Sequence, residues 1–108
     1  YDVLKWTSWQ PGMPSSVRDS RLVVIDADRM VVTARVPMCP AAHGVRLSAD
    51  GGQVYATCGP DGIAVVNTRD FTVTRVQLPG TVDDGASCRR CPYAIGVAPD
   101  GLVWVSSL

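Results

Sequence analysis

A chain of 108 residues that is 46% hydrophobic is long enough for a core of its own and too apolar for disorder. Ten Lys and Arg balance ten Asp and Glu, with no long run of like charge and no basic stripe interleaved with aromatics, which sets nucleic acid aside as a partner. No apolar stretch reaches the roughly 18 residues of a membrane-spanning helix, and Tyr1-Asp2-Val3-Leu4-Lys5-Trp6 lacks the charged and then apolar regions of a signal peptide.

In chain order, residues 3–9 are a candidate strand carrying Trp6 and Trp9, whose three-residue spacing puts the two rings on opposite faces. Gln10-Pro11-Gly12-Met13-Pro14-Ser15-Ser16 reads as a long loop. Residues 21–36 read as two strands, followed by strands at 42–48, 53–58, 63–67 and 71–78 and a further pair within 93–105; β-branched and aromatic residues dominate these segments. Asp50-Gly51 and Asp100-Gly101 each separate two apolar runs and predict hairpin turns, and Pro60-Asp61-Gly62 punctuates another boundary. No stretch keeps the spacing of an amphipathic helix, so little or no helix is expected. With no initiator Met and a last stretch, Trp104-Val105-Ser106-Ser107-Leu108, that reads as a strand in progress, the sequence is expected to be a segment cut at both ends.

The chain also repeats itself. Val23-Val24-Ile25-Asp26-Ala27 matches Ala64-Val65-Val66-Asn67-Thr68, and each is followed by a strand ending in Arg-Val, Arg35-Val36 or Arg75-Val76. Ala42-His43-Gly44-Val45-Arg46-Leu47-Ser48-Ala49-Asp50-Gly51 matches Pro92-Tyr93-Ala94-Ile95-Gly96-Val97-Ala98-Pro99-Asp100-Gly101. The period of about 40 to 50 residues, with an enlarged loop between Leu78 and Pro92, suits a four-stranded propeller blade.

Leu47-Ser48-Ala49-Asp50-Gly51-Gly52-Gln53-Val54-Tyr55-Ala56-Thr57 and Ile63-Ala64-Val65-Val66-Asn67-Thr68 resemble the YVTN-type β-propeller repeat, related to the NHL and lactonase-like propellers. The resemblance runs from about residue 21 to the C-terminus. It implies an all-β fold of β-propeller blades of four antiparallel strands in an incomplete ring: residues 1–38 end one blade, 39–79 form a complete blade, and 80–108 hold the long loop and open the next. Closure needs at least about four blades, so the remaining blades are expected from the same polypeptide or from neighbouring subunits. Propellers of this kind include binding scaffolds, surface proteins and a minority of enzymes, and the fold alone does not choose among them.

Cys39, Cys58, Cys88 and Cys91 are the candidates for local chemistry. In a four-stranded meander the connections that hold them emerge on one face, so all four sulfurs are expected together. Even in number and placed in loops, they read as disulfides of an extracytoplasmic protein, whether periplasmic, cell-surface or secreted, with the connectivity open. Two alternatives compete: free buried thiols in a reducing compartment, and a zinc site built on Cys88-Arg89-Arg90-Cys91 with Cys39 or Cys58 and His43. The second closely spaced pair that a zinc site usually shows is absent. Pro92 stands where covalent haem attachment needs a His, and nothing predicts the helix N-terminus of a redox-active pair.

His43 aligns with Tyr93, a position that the repeat fills with a ring, so a structural role is expected of it. Trp104 aligns with Tyr55 and is expected in the core between blades. Asp83-Asp84 read as solvated turn residues. No nucleophile elbow, zinc-protease helix motif or phosphate-binding glycine loop occurs. The expectation is a non-enzymatic binding or structural module, with no cofactor and no metal, that presents a disulfide-braced loop face to a protein partner. The alternative is part of a propeller enzyme of the lactonase, lyase or periplasmic oxidoreductase type, with its site at a central channel to which these residues bring only Arg46 and His43.

Overall fold

The computed structural model describes residues 19–40, 42–83 and 88–107. The expected strand at 3–9 and the loop at 10–16 lie outside them. Among the described residues the chain is all-β and antiparallel, without an α-helix and without a closed barrel. Among the described residues no helix is long and apolar enough to cross a membrane.

Strands β1 (Asp19–Asp26) and β2 (Val31–Pro40) form a hairpin. The next four, β3 (Val45–Leu47), β4 (Gln53–Thr57), β5 (Ile63–Asn67) and β6 (Val73–Val76), make a central meander in which each strand pairs with its successor. The enlarged loop holds a short ribbon of β7 (Val82–Asp83) and β8 (Cys88–Arg89). A last hairpin pairs β9 (Pro92–Val97) with β10 (Val103–Ser107). The strands expected at 42–48 and 71–78 are shorter than their apolar patterns suggested, although single backbone bonds still join His43 and Gly44 to Thr57 and Thr72 to Asn67 beyond the regular ladders.

The turns show why the sequence breaks where it does. At the β1–β2 turn one carboxylate oxygen of Asp26 accepts the N–H groups of Asp28 and Arg29, each at 3.0 Å, and the other takes the Arg29 guanidinium at 2.9 Å. Asn67 does the same work at the β5–β6 turn, where its side-chain oxygen accepts the Arg69 N–H at 2.8 Å. In the β3–β4 turn the Asp50 carboxylate accepts the Ser48 hydroxyl at 2.7 Å and the Gly52 N–H at 2.9 Å, and in the β9–β10 turn Asp100 accepts the Leu102 N–H at 3.0 Å. Such side-chain caps replace a missing ladder bond at the point where the strand must stop. Between β4 and β5 the chain makes a 3-10 turn, Gly59–Asp61, and leaves it through Gly62 at φ 80°. A Cβ at Gly62 would overlap the Val76 carbonyl oxygen, so only glycine fits there.

The central sheet buries both faces to different extents. Val54, Ala56, Ala64 and Val66 point to one side, where they meet Val36, Met38 and Cys39 from β2 and Leu22 from β1; this is the hydrophobic core. On the opposite side, β9 crosses β3 and β4, and Ile95 approaches Gly44 closely enough that a Cβ there would sit 3.1 Å from it. The molecule is thus a layered stack of hairpin, four-stranded meander and hairpin.

Candidate functional site

One end of the central sheet collects the chemistry-bearing side chains. It is the end where β4 stops, β5 starts and β2 and β6 run out, opposite to the carboxylate-capped turns. Here Cys39 and Cys58 form a disulfide with their Cα atoms 5.7 Å apart, which joins β2 to the turn that follows β4. Both residues are fully buried in the core. Cys39 lies inside β2 and not in a loop as its sequence neighbourhood suggested, because β2 continues past Val36 and carries it under the central sheet.

Cys91 is also disulfide-bonded and buried. The backbone of Cys88 belongs to β8, and its side chain lies outside the described ones. The alternative zinc set would need thiolates at Cys39 or Cys58, whose sulfurs are bonded to each other. Among the described residues no group of three His, Cys, Asp or Glu is placed to hold a metal ion.

His43 and Tyr93, aligned by the repeat, are brought together: their ring centroids are 3.9 Å apart at an interplanar angle of 40°. Below them is a residue the sequence reading passed over. Thr57 is fully buried; its hydroxyl donates to the Tyr93 carbonyl at 2.8 Å and accepts the Gly44 N–H at 2.8 Å. The hydroxyl therefore ties the last hairpin to the central sheet, with its proton committed to the Tyr93 carbonyl.

A second missed residue is Arg75. Its guanidinium donates to the Asp61 carboxylate at 2.6 Å and to the Met38 carbonyl at 2.7 Å, linking β6, the 3-10 turn and β2 within one side chain. The planar fork of arginine suits such a two-way contact. Arg46 is exposed on β3, with its guanidinium on the neighbouring Val45 carbonyl at 2.8 Å. Trp104, expected in the core between blades, is exposed, and among the described residues no layer covers it. Trp6, Trp9, Asp84 and the side chain of Asp83 lie outside the described residues.

The carboxylates with lowered pKa all sit at the other end of the sheet. Asp26 is held below its ordinary value by the Arg29 N–H and guanidinium, Asp50 by the Ser48 hydroxyl and then the Gly52 N–H, and Asp70 by the Thr72 N–H and hydroxyl. All three are turn caps, Asp50 and Asp70 exposed and Asp26 half-buried, and hydrogen bonds to the charged form account for the direction. They have the geometry of structure and not of acid–base catalysis.

No family model, curated protein or solved structure matches the chain.

Proposed function

We propose that the chain is a β-propeller segment of the YVTN type, about two blades in extent, that serves as a non-enzymatic binding or structural scaffold in an oxidising, extracytoplasmic compartment. The observation that carries this reading is the use made of the polar groups at the disulfide end. Thr57, Arg75 and Asp61 are spent on bonds between layers, and His43 lies against Tyr93. Groups committed in this way fix a surface; a catalytic end would keep an acid, a base or a nucleophile pointed at substrate.

The compartment is supported by the buried Cys39–Cys58 disulfide and by the bonded state of Cys91. With Cys39 and Cys58 bonded to each other, Cys88 is the cysteine of the sequence that is left for Cys91. The propeller reading is supported by the stacked antiparallel layers and by turns that recur with the repeat. In this scaffold the surface offered to a protein partner is the disulfide end, where His43 and Tyr93 are exposed above the buried Thr57.

Two measurements test the reading. Intact mass spectrometry of native material is expected to show a gain of about two mass units per disulfide on reduction, and labelling without reduction is expected to find no free thiol. Free thiols at Cys39 and Cys58 would overturn the compartment. His43→Phe, which keeps a ring against Tyr93, is expected to leave stability unchanged. Turnover of a lactone or similar substrate that this substitution abolishes would replace the scaffold with a propeller enzyme.

A further inference from the structure

The two disulfides of the chain differ in what holds them. Cys39–Cys58 closes a separation of 19 residues and joins β2 to the turn after β4, and both its residues are fully buried in the core. Cys91 is bonded as well, and with Cys39 and Cys58 taken its partner is Cys88. This second ring encloses only Arg89 and Arg90. A fold stabilises a disulfide to the extent that the disulfide stabilises the fold, and that mutual gain grows with the length of the loop closed. The small ring therefore draws little of its stability from the fold.

The backbone inside the ring adds to the difference. Arg90 is in the left-handed region with φ of 56°, where the Cβ of an L residue crowds the following carbonyl. Met30 and Phe71 share that conformation, but each lies in the turn of an antiparallel pair, β1–β2 or β5–β6, whose ladder fixes it. Arg90 is in no such turn: β8 pairs with β7 and β9 with β10, and the chain bends at Arg90 as it passes from one ribbon to the other. Contacts from outside the ring hold the bend. The Arg90 carbonyl accepts the Thr81 hydroxyl at 3.3 Å, and its guanidinium lies over Gly80, where a Cβ would come within 2.8 Å of it. Backbone strain held within a disulfide ring is relieved when the bond opens, and strained disulfides are the labile and regulatory ones. Charge acts in the same direction. Arg89 follows Cys88 and Arg90 precedes Cys91, and cationic neighbours favour the thiolates that reduction releases.

We infer that Cys88–Cys91 is an exchangeable disulfide, reduced by dithiols under conditions in which Cys39–Cys58 stays oxidised, and that its redox state sets the conformation of the disulfide end beside Tyr93. Cys91 leads directly into β9, whose Tyr93 lies against His43 and offers its carbonyl to Thr57. The inference rests on the scaffold reading above and supplies a regulation of the face proposed there. In the exchange a thiolate of the dithiol attacks one sulfur of the pair, the bond between Cys88 and Cys91 breaks, and the other sulfur leaves as a thiolate. The second thiol of the reagent then attacks the mixed disulfide. The reagent departs as its own disulfide, and two electrons and two protons have passed to Cys88 and Cys91.

The test is a redox titration of the native chain in dithiothreitol buffers of graded reduced-to-oxidised ratio, approached from both sides, quenched by alkylation and read by peptide mass. Cys88 and Cys91 are expected to reach half-labelling at a ratio about ten-fold or more below the one that labels Cys39 and Cys58. In the partly reduced protein the amides of residues 80–82 and 89–91 are expected to lose protection from hydrogen exchange, while those of β4 and β5 keep it. Arg90→Gly and Arg90→Ala separate strain from charge, since both remove the guanidinium and only glycine accepts the positive φ freely. The glycine variant is expected to need a several-fold higher ratio than the alanine variant. Coincident labelling of the two disulfides, or earlier labelling of Cys39 and Cys58, overturns the inference, as do equal midpoints for the two variants. Each of these outcomes leaves the scaffold reading standing; that reading fails instead if native material carries Cys39 and Cys58 as free thiols.

Discussion

Thr57 shows what a single buried hydroxyl can hold together. Its hydroxyl donates to the Tyr93 carbonyl of the last hairpin and accepts the Gly44 N–H just before β3, so one side chain spans the two layers. Thr57→Val keeps the shape and removes both bonds; a loss of about 1 to 3 kcal/mol is expected from urea denaturation. The turn carboxylates act in the opposite setting, at the surface. The folded-state pKa values of Asp26, Asp50 and Asp70 are lowered from 3.8, so their contribution is full at higher pH and is lost as pH falls through the folded-state values. The denaturation midpoint is therefore expected to hold level above about pH 5 and to fall below about pH 4. Replacing all three with Asn, which retains an acceptor oxygen, should flatten that fall; an unchanged acid limb would place the titrating groups elsewhere.

The hairpin is the element from which the chain is built, and its worth depends on what lies against it. Val36 and Val76 occupy the same place in two copies of one hairpin, yet only Val36 is in the core. In the monomer Val36→Ala is expected to cost about 2 kcal/mol and Val76→Ala well under half of that, as measured by the shift in denaturation midpoint. Much of this level was legible in the sequence: Asp50-Gly51 and Asp100-Gly101 turn as expected, and the repeated Val-Val-Ile-Asp and Val-Val-Asn segments each end the first strand of an antiparallel pair, β1–β2 and β5–β6. The boundary at Cys39 was not legible. Its strand continues because β1 extends to pair with it, and pairing partners distant in sequence leave no periodic trace.

At the scale of the whole molecule the Cys39–Cys58 disulfide is a covalent link between the first hairpin and the central sheet. It closes a separation of 19 residues, for which the chain-entropy account gives about 3 kcal/mol. Reduction, or the Cys39→Ala and Cys58→Ala pair, is expected to lower stability by that order, with the first hairpin opening before the meander in hydrogen exchange. Simultaneous loss of protection in all layers would show that the stack unfolds as one cooperative unit.

The sequence by itself determined the all-β class, the turns, the repeat and the even set of cysteines, because each follows from local chemistry: the alternation of apolar residues, the φ range of glycine and the capping reach of Asp and Asn. Only the tertiary structure decided which cysteine faces which, that His43 meets Tyr93, that Thr57 and Arg75 tie layers together, and that Trp104 and Val76 are left uncovered while their matched positions are not. These depend on how sheets stack. Stacking brings together residues far apart in the chain, through contacts that no single segment encodes.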